Sequence, residues 1–345
     1  KSTFNGTIRE FPDIRIDHFK FNDDRPPPKA CFLSHMHSDH LDGLASSYGG
    51  PYIYCSAATK RIVLQLEKRT SRINKLTNIT QHGQRQYRHL GPEGGCDVFK
   101  ELPLNAPVKI QLDPKQQITV TLIDVRSTMF LIEGQGKTIL YTGDILAEDW
   151  WLNSLSRSPL LLPYVYGFMT INTIYLDTTF CSQKLKYGKF PPKAVGSQLL
   201  LKGMARYPND VVFHINAWTW GYEELLIALS AGMNSKIHVG KHRYNIFKSI
   251  RHPSVYEHGP ALSGYSYAQS GNAESLPQYP DITGCLTMEE TGVRLHACER
   301  AFRCEGRNKG QRVVYISPVV SSDLGEAGSP SNSNNCKFLQ QFLLA

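Results

Sequence analysis

Ala30-Cys31-Phe32-Leu33-Ser34-His35-Met36-His37-Ser38-Asp39-His40 runs from an unbroken apolar segment into three histidines and an aspartate. A short apolar run of this kind reads as a strand buried on both faces. Alternate side chains of extended chain point the same way, so His35 and His37 can grip one cation. Asp39 and His40 follow at once and can grip a second. Surface loops also collect histidines, but ligand types at this spacing behind a buried strand favour a metal site.

Imidazoles that hold a hydrolytic metal are commonly joined by carboxylates, and two candidates stand just past other strand-like runs. Lys137-Thr138-Ile139-Leu140-Tyr141 ends in Thr142-Gly143-Asp144, and Thr173-Ile174-Tyr175-Leu176 ends in Asp177-Thr178-Thr179. Functional groups of layered α/β folds gather at strand ends. Read alone, Asp144 also suits an ordinary turn and Asp177 a helix cap. Asp17, after Ile14-Arg15-Ile16, can orient the histidine loop from behind.

Further strand-like runs are Tyr52-Ile53-Tyr54-Cys55, Ile118 to Ile123 and Met129 to Ile132. Ser56 is placed to cap a helix carrying Ile62, Val63 and Leu66 on one face. Residues 81–98 read as a Gly-rich basic loop. After Asp144 comes a Trp-, Leu- and Pro-rich connector. Strands at Thr173–Leu176, Val211–Asn216 and Lys236–Val239 then alternate with helices at Ala194–Arg206 and Tyr222–Ala231, a rhythm that predicts a parallel sheet. Residues 255–284 read as a long loop, Arg312–Ile316 as a further strand, and Ser321–Asn335 as disordered.

The 345 residues suffice for two domains or one large composite domain. No apolar run approaches the roughly 20 residues of a membrane span. The chain starts at Lys1 without a signal-peptide pattern, so a fragment or processed chain is expected. Its 38 basic and 30 acidic residues leave a net charge of +8. That suits a polyanionic partner such as nucleic acid, and equally a merely basic soluble enzyme. Eight cysteines are too sparse for a disulfide scaffold. Cys31, Cys55 and Cys181 read as buried apolar fillers in a reducing compartment. His296-Ala297-Cys298 and Cys304 differ: an imidazole and two thiols close together suit structural zinc, although two buried cysteines beside an unrelated histidine would look the same.

Together, His35-Met36-His37-Ser38-Asp39-His40, Tyr141-Thr142-Gly143-Asp144 and Tyr175-Leu176-Asp177-Thr178-Thr179-Phe180 resemble the metallo-β-lactamase superfamily. More narrowly, they resemble its β-CASP DNA-repair nucleases of the Artemis type. Trp220-Gly221-Tyr222-Glu223 is similar to that family as well. The resemblance spans most of residues 4–320. It implies an α/β protein, a metallo-β-lactamase αββα sandwich with an inserted β-CASP domain and an active site in the cleft between them. Its segments would be residues 1–155, then 156–305 for the β-CASP domain, then 306–345 as a return to the first domain with a disordered tail.

The resemblance also implies roles. His35 and His37 would hold one metal, Asp39 and His40 a second, and Asp144 both. Asp39, His40, Asp177 and Asp17 would serve catalysis or support it. The ions would be one or two zincs, with Mg or Mn an option at the second. A further zinc in the β-CASP region would be held by His296, Cys298 and Cys304, with His238 as the fourth ligand because it matches the β-CASP histidine position. The expected function is hydrolysis of DNA phosphodiesters in repair of double-strand breaks or interstrand cross-links. The DNA would be single-stranded, hairpin or overhang, the location the nucleus, the partners end-joining proteins, and the state a monomer without membrane attachment.

Two family histidines are absent. No histidine lies between His89 and His214, and none follows His296. Val125 runs into Arg126 where the family has a histidine-bearing turn. A non-catalytic DNA-binding relic is therefore one alternative. An RNA-processing β-CASP nuclease is another, against which stand Leu176-Asp177-Thr178-Thr179-Phe180 and the missing late histidine that RNA-acting members of the family usually carry. A small-molecule hydrolase would leave the insertion without evident purpose.

Overall fold

In the computed structural model, the described residues are 4–21, 26–45, 48–76, 79, 83–123, 128–145, 147–178, 192–217, 220–266, 281–299, 304, 312–319 and 337–341. They fall into two units, one of Lys1–Lys68 with Gln84–Thr179, the other of Arg69–Gly83 with Phe180–Ala345.

In the first unit, β1 (Ile14–Ile16), β2 (Ala30–Phe32), β3 (Ile53–Ser56) and β4 (Phe99–Leu102) form an all-parallel sheet in that order. Helix α1 (Ala57–Gln65) leaves β3, and Ser56 caps it by accepting from the Thr59 amide at 3.1 Å. Helix α2 (Arg69–Leu76) belongs to the second unit. A second sheet has the order β5 (Pro107–Asp113), β6 (Gln116–Ile123), β7 (Met129–Gly134), β8 (Lys137–Tyr141) and β9 (Thr173–Tyr175). Its pairs are antiparallel except β8 with β9. Helices α3 (Asp149–Ser156) and α4 (Leu162–Val165) lie in the connector before β9.

Alternation of side chains sorts these residues into layers. Ala30 and Phe32 of β2 join Ile118, Val120, Phe130, Ile132 and Ile139 in one core between the two sheets. Cys31 and Leu33, one residue out of phase, join Val63 of α1 and Ile53 and Cys55 of β3 on the outer face. Ile123, Met129, Leu131 and Leu140 face the other way, with Trp151 and Leu155 of α3 and Tyr164 of α4. The unit is thus an αββα sandwich, as expected. The run at residues 30–33 is apolar without a break because both of its faces are covered. Each fully buried side chain, such as Phe32 or Phe130, contributes about 1.5–3 kcal/mol.

The second unit is a six-stranded parallel sheet in the order β12-β11-β13-β10-β14-β15. Its elements in chain order are α5 (Lys193–Met204), β10 (Val212–Ile215), α6 (Glu223–Met233), β11 (Ile237–His238), α7 (Lys241–Ser249), α8 (Gly259–Ser263), β12 (Leu286–Thr287), β13 (Leu295–His296), β14 (Val313–Val319) and β15 (Lys337–Gln341). Of the three strands that the alternating pattern places in one parallel sheet, β10 and β11 are in it, whereas β9 pairs with β8 in the first unit. Part of the predicted 255–284 loop is ordered structure, namely α8 and a Tyr265–Ile282 bridge. Thr179, Phe180, Cys181, the Val125–Arg126 junction and the Ser321–Asn335 tail lie outside the described residues. Among the described residues no helix is long and apolar enough to cross a membrane.

Candidate metal centres

Four strands of the first unit bring their carboxyl ends to one side. Asp17 follows β1, the histidine run follows β2, Asp144 follows β8 and Asp177 follows β9. Two of these strands belong to each sheet, so the sandwich itself assembles the group.

The histidine run leaves β2 as extended chain and then turns, with the His40 amide donating to the His37 carbonyl at 3.0 Å. His35 Nε2 and His37 Nδ1 come to 2.9 Å of each other. Asp144 Oδ2 lies 3.3 Å from His35 Nε2 and 3.5 Å from His37 Nδ1. Its other oxygen lies 3.3 Å from His40 Nε2. Asp144 reaches this point through a tight turn in which Gly143 takes φ +59°, a conformation that glycine adopts without a Cβ clash. The Thr142 amide holds the turn to β9 by donating to the Tyr175 carbonyl at 3.0 Å.

Asp17 acts behind this group. It takes φ +55°, unusual for a residue with a Cβ, and its buried carboxylate is fully engaged. It accepts from the Ser34 amide at 2.7 Å, the Ser34 hydroxyl at 2.5 Å and the Tyr141 hydroxyl at 2.9 Å, with His40 Nδ1 at 3.0 Å. Three of these contacts crowd Oδ2 and one holds Oδ1, so Asp17 suits an orienter better than a ligand. Ser34 passes the order on: its hydroxyl lies 2.9 Å from His35 Nδ1. With a proton on His35 Nδ1, the Nε2 lone pair faces Asp144 and His37. Ser34 and Tyr141, both bonded to Asp17, are positions that motif reading leaves unassigned, although Tyr141 stands within its own quoted motif.

These groups set one another's charge, and a cation held by His40 has to displace its proton. Burial would raise the Asp144 carboxyl, but the three surrounding imidazoles hold it far below the usual carboxylate range. Burial would lower His40, but Asp144 and Asp17 on its two sides push it up to about 10. His35 is lowered, chiefly by burial, and so stays neutral as a ligand must. Burial and the Asp17 carboxylate push Tyr141 up, so its hydroxyl remains a donor.

His35, His37 and Asp144 offer donor atoms within 4.8 Å of one another, and so do Asp17, His35 and His40. Imidazole nitrogens with a carboxylate are the donor set of hydrolytic zinc, and three suffice if one position stays open. The structure therefore brings together His35, His37, His40, Asp144 and Asp17. Asp39 is exposed and stands in neither group. Asp177 is half-buried near Tyr141, also outside both groups.

The second unit assembles another set. Parallel register places His238 of β11 beside His296 of β13, and His296 beside His214 of β10. Two residues beyond His296, Cys298 returns to the same side. Cys298 Sγ lies 3.0 Å from His238 Nδ1 and 2.8 Å from Cys304 Sγ. Cys304 Sγ lies 3.1 Å from His238 Nδ1 and 3.3 Å from His296 Nδ1. All four side chains are buried, and their donor atoms fall within 4.8 Å of one another. The neighbouring Cys298 thiol, with His238 and His296, holds Cys304 well below the usual thiol range, so Cys304 is the thiolate of the pair. Two soft sulfurs and two imidazoles fit a metal ion of the zinc kind. His214 lies in the same row of the sheet but outside the donor group.

No family model matches the chain. Among curated proteins it is 29% identical over 280 residues to protein artemis of Gallus gallus, covering 74% of this chain and 34% of that protein. It is 29% identical over 273 residues to protein artemis of Homo sapiens, covering 74% and 35%. Against the 5' exonuclease Apollo of Gallus gallus it is 28% identical over 256 residues, covering 73% and 46%. The chain spans about a third of the length of the artemis proteins it matches. A solved structure of Zn(2+)-bound PqqB from Methylobacterium extorquens matches 39% of this chain and 42% of its own, at 20% identity and a TM-score of 0.23, a likeness too slight to bear on the fold. The resemblance carried by the motifs thus extends over nearly three quarters of the chain.

Proposed function

We propose that this Artemis-type relative is a metal-dependent nuclease that hydrolyses DNA phosphodiesters. The observation that carries the reading is the convergence of His35, His37, His40 and Asp144 on one point, with Asp17 orienting the ring from behind.

His35, His37 and Asp144 would hold a divalent ion, zinc by the donor set, and His40 with Asp39 would help hold a second, for which Mg or Mn would also serve. Such ions supply Lewis-acid polarisation of a phosphoryl oxygen and acidify water near neutral pH. The chain's residues do the rest. Asp17 keeps His40 and Ser34 in place, and Ser34 fixes the tautomer of His35. Asp177, just past β9 and close enough to Tyr141 to act on it, would add negative charge that supports the cation. The excess of basic residues favours the remaining backbone phosphates.

Residues 156–305 would be the β-CASP insertion, with His238, His296, Cys298 and Cys304 holding a structural zinc. The substrate would be single-stranded, hairpin or overhang DNA, the setting the nucleus, and the partners end-joining proteins. The named relatives, artemis and a 5' exonuclease, support this reading.

One observation favours a second reading, DNA binding without turnover: no histidine lies between His89 and His214 to add a further imidazole to the first ion. The two are separated by incubating the chain with labelled hairpin and single-stranded DNA, with metal and with chelator. Metal-dependent cleavage that is lost in His35→Ala supports the nuclease. Salt-sensitive binding with no product supports the relic and sinks the nuclease. Competition with RNA of matched sequence identifies an RNA-processing enzyme.

A further inference from the structure

Ala297 sits between two donors of the buried group, His296 and Cys298, and its peptide is held at both ends. Its N–H donates to the carbonyl of His238, a third donor, at 2.8 Å. Its carbonyl accepts from Arg243 Nη1 at 2.5 Å. The other terminal nitrogen of Arg243 donates to the carbonyl of Ala217 at 2.8 Å, just past β10. One guanidinium thus joins the backbone inside the donor group to the backbone that leads to Trp220-Gly221-Tyr222-Glu223.

Arg243 lies on α7 and is 3% exposed. Burial disfavours its charge, while Glu299, Cys298 and Glu223 nearby favour it. An apolar side chain would fill the same space without that cost, so packing alone does not explain a guanidinium here. Its planar fork does: two carbonyls in different segments can be met at once by an arginine, whereas a lysine ammonium is a single point charge. Glu299, next to Cys298, is in turn paired with Arg72 of α2.

We propose that Arg243 is the positioning residue of the buried metal site. It fixes the Ala297 peptide, and through it the spacing of His238, His296 and Cys298, and ties that site to the segment after β10. The inference rests on reading the four donors as a metal site.

The test uses the full chain purified with zinc. Zinc content is counted by mass spectrometry, and release is followed with excess chromogenic chelator. Arg243→Met is expected to release the buried zinc at least about ten-fold faster than the unmodified chain, the scale of lost outer contacts at metal sites. Arg243→Lys, able to meet one carbonyl only, falls between. After cobalt substitution, the sulfur-to-cobalt absorption band reports this site alone, because the donors of the first unit include no sulfur. The band shifts in Arg243→Met. A merely structural arginine would lower the melting temperature and move neither band nor release rate; that result overturns the proposal. If Arg243→Met does not fold, Arg243→Lys carries the comparison, and release as slow as in the unmodified chain overturns it. Cys298→Ala with Cys304→Ala checks the premise separately: an unchanged zinc count there refutes the metal reading whatever Arg243 does.

Discussion

Both donor groups stand at the carboxyl ends of parallel strands, yet they are built for different ends. In the first unit, His37 and Asp144 keep 28% and 31% of their side-chain surface exposed. In the second, His238, His296, Cys298 and Cys304 are all buried. The first offers imidazoles and carboxylates, the second adds two sulfurs. A closed four-donor set leaves no position for a substrate, whereas three donors at an open strand end leave one. Under the proposed reading, the contrast suits the first group to chemistry and the second to folding.

The comparison can be broken at either group. The largest effect is expected in the second. Structural zinc contributes about 10–16 kcal/mol to folding in small zinc-folded peptides. Cys298→Ala with Cys304→Ala should therefore cost one metal equivalent and the cooperative unfolding of Phe180–Ala345, seen by metal analysis and limited proteolysis. An unchanged melt would place the closed group among dispensable features. Next is Asp144→Ala, which removes a donor facing three imidazoles. Cleavage of labelled DNA should fall by at least about 100-fold, beyond the 10–100-fold seen for outer contacts. The zinc of the second unit should remain; joint loss of both metals would show that the two groups are one system.

Smaller effects sharpen the account of the first group. Asp17→Asn preserves shape but loses the charge that faces His40 and Ser34. Metal affinity, measured by chelator competition, is expected to drop about 10- to 100-fold. Tyr141→Phe removes one of the hydrogen bonds to Asp17 and should cost about ten-fold or less. An effect of Tyr141→Phe larger than that of Asp17→Asn would contradict the chain of orientation from Asp17 to the ring.

Much of this was legible in the residues themselves. The apolar run at residues 30–33, the β7 and β8 runs and the Ser56 cap carry local periodicity and turn chemistry that need no tertiary information. β5, absent from the strands expected above, does alternate Val108, Ile110 and Leu112 with polar residues and adds an edge to the second sheet. Other elements left no such trace. β12 and β13 are two residues each, too short for any period to show. α2, Arg69-Thr70-Ser71-Arg72-Ile73-Asn74-Lys75-Leu76, is polar around most of its circumference, so no apolar stripe announces it. Arg243 sits in an unremarkable basic helix, and nothing local marks it as buried.

The sequence by itself determined the donor types: imidazoles two apart, carboxylates just past strands, thiols near a histidine. Those are local properties, set by residue identity and by the two-residue period of extended chain. Only the tertiary structure decided which of them meet. Stacking of the two sheets carries Asp144 to His35, and the register of β11 with β13 sets His238 beside His296. It also decided that Asp17 stands behind the ring while Asp39, inside the most suggestive motif, is exposed and outside both three-donor groups. Such meetings depend on long-range packing, which fixes positions that no short segment can encode.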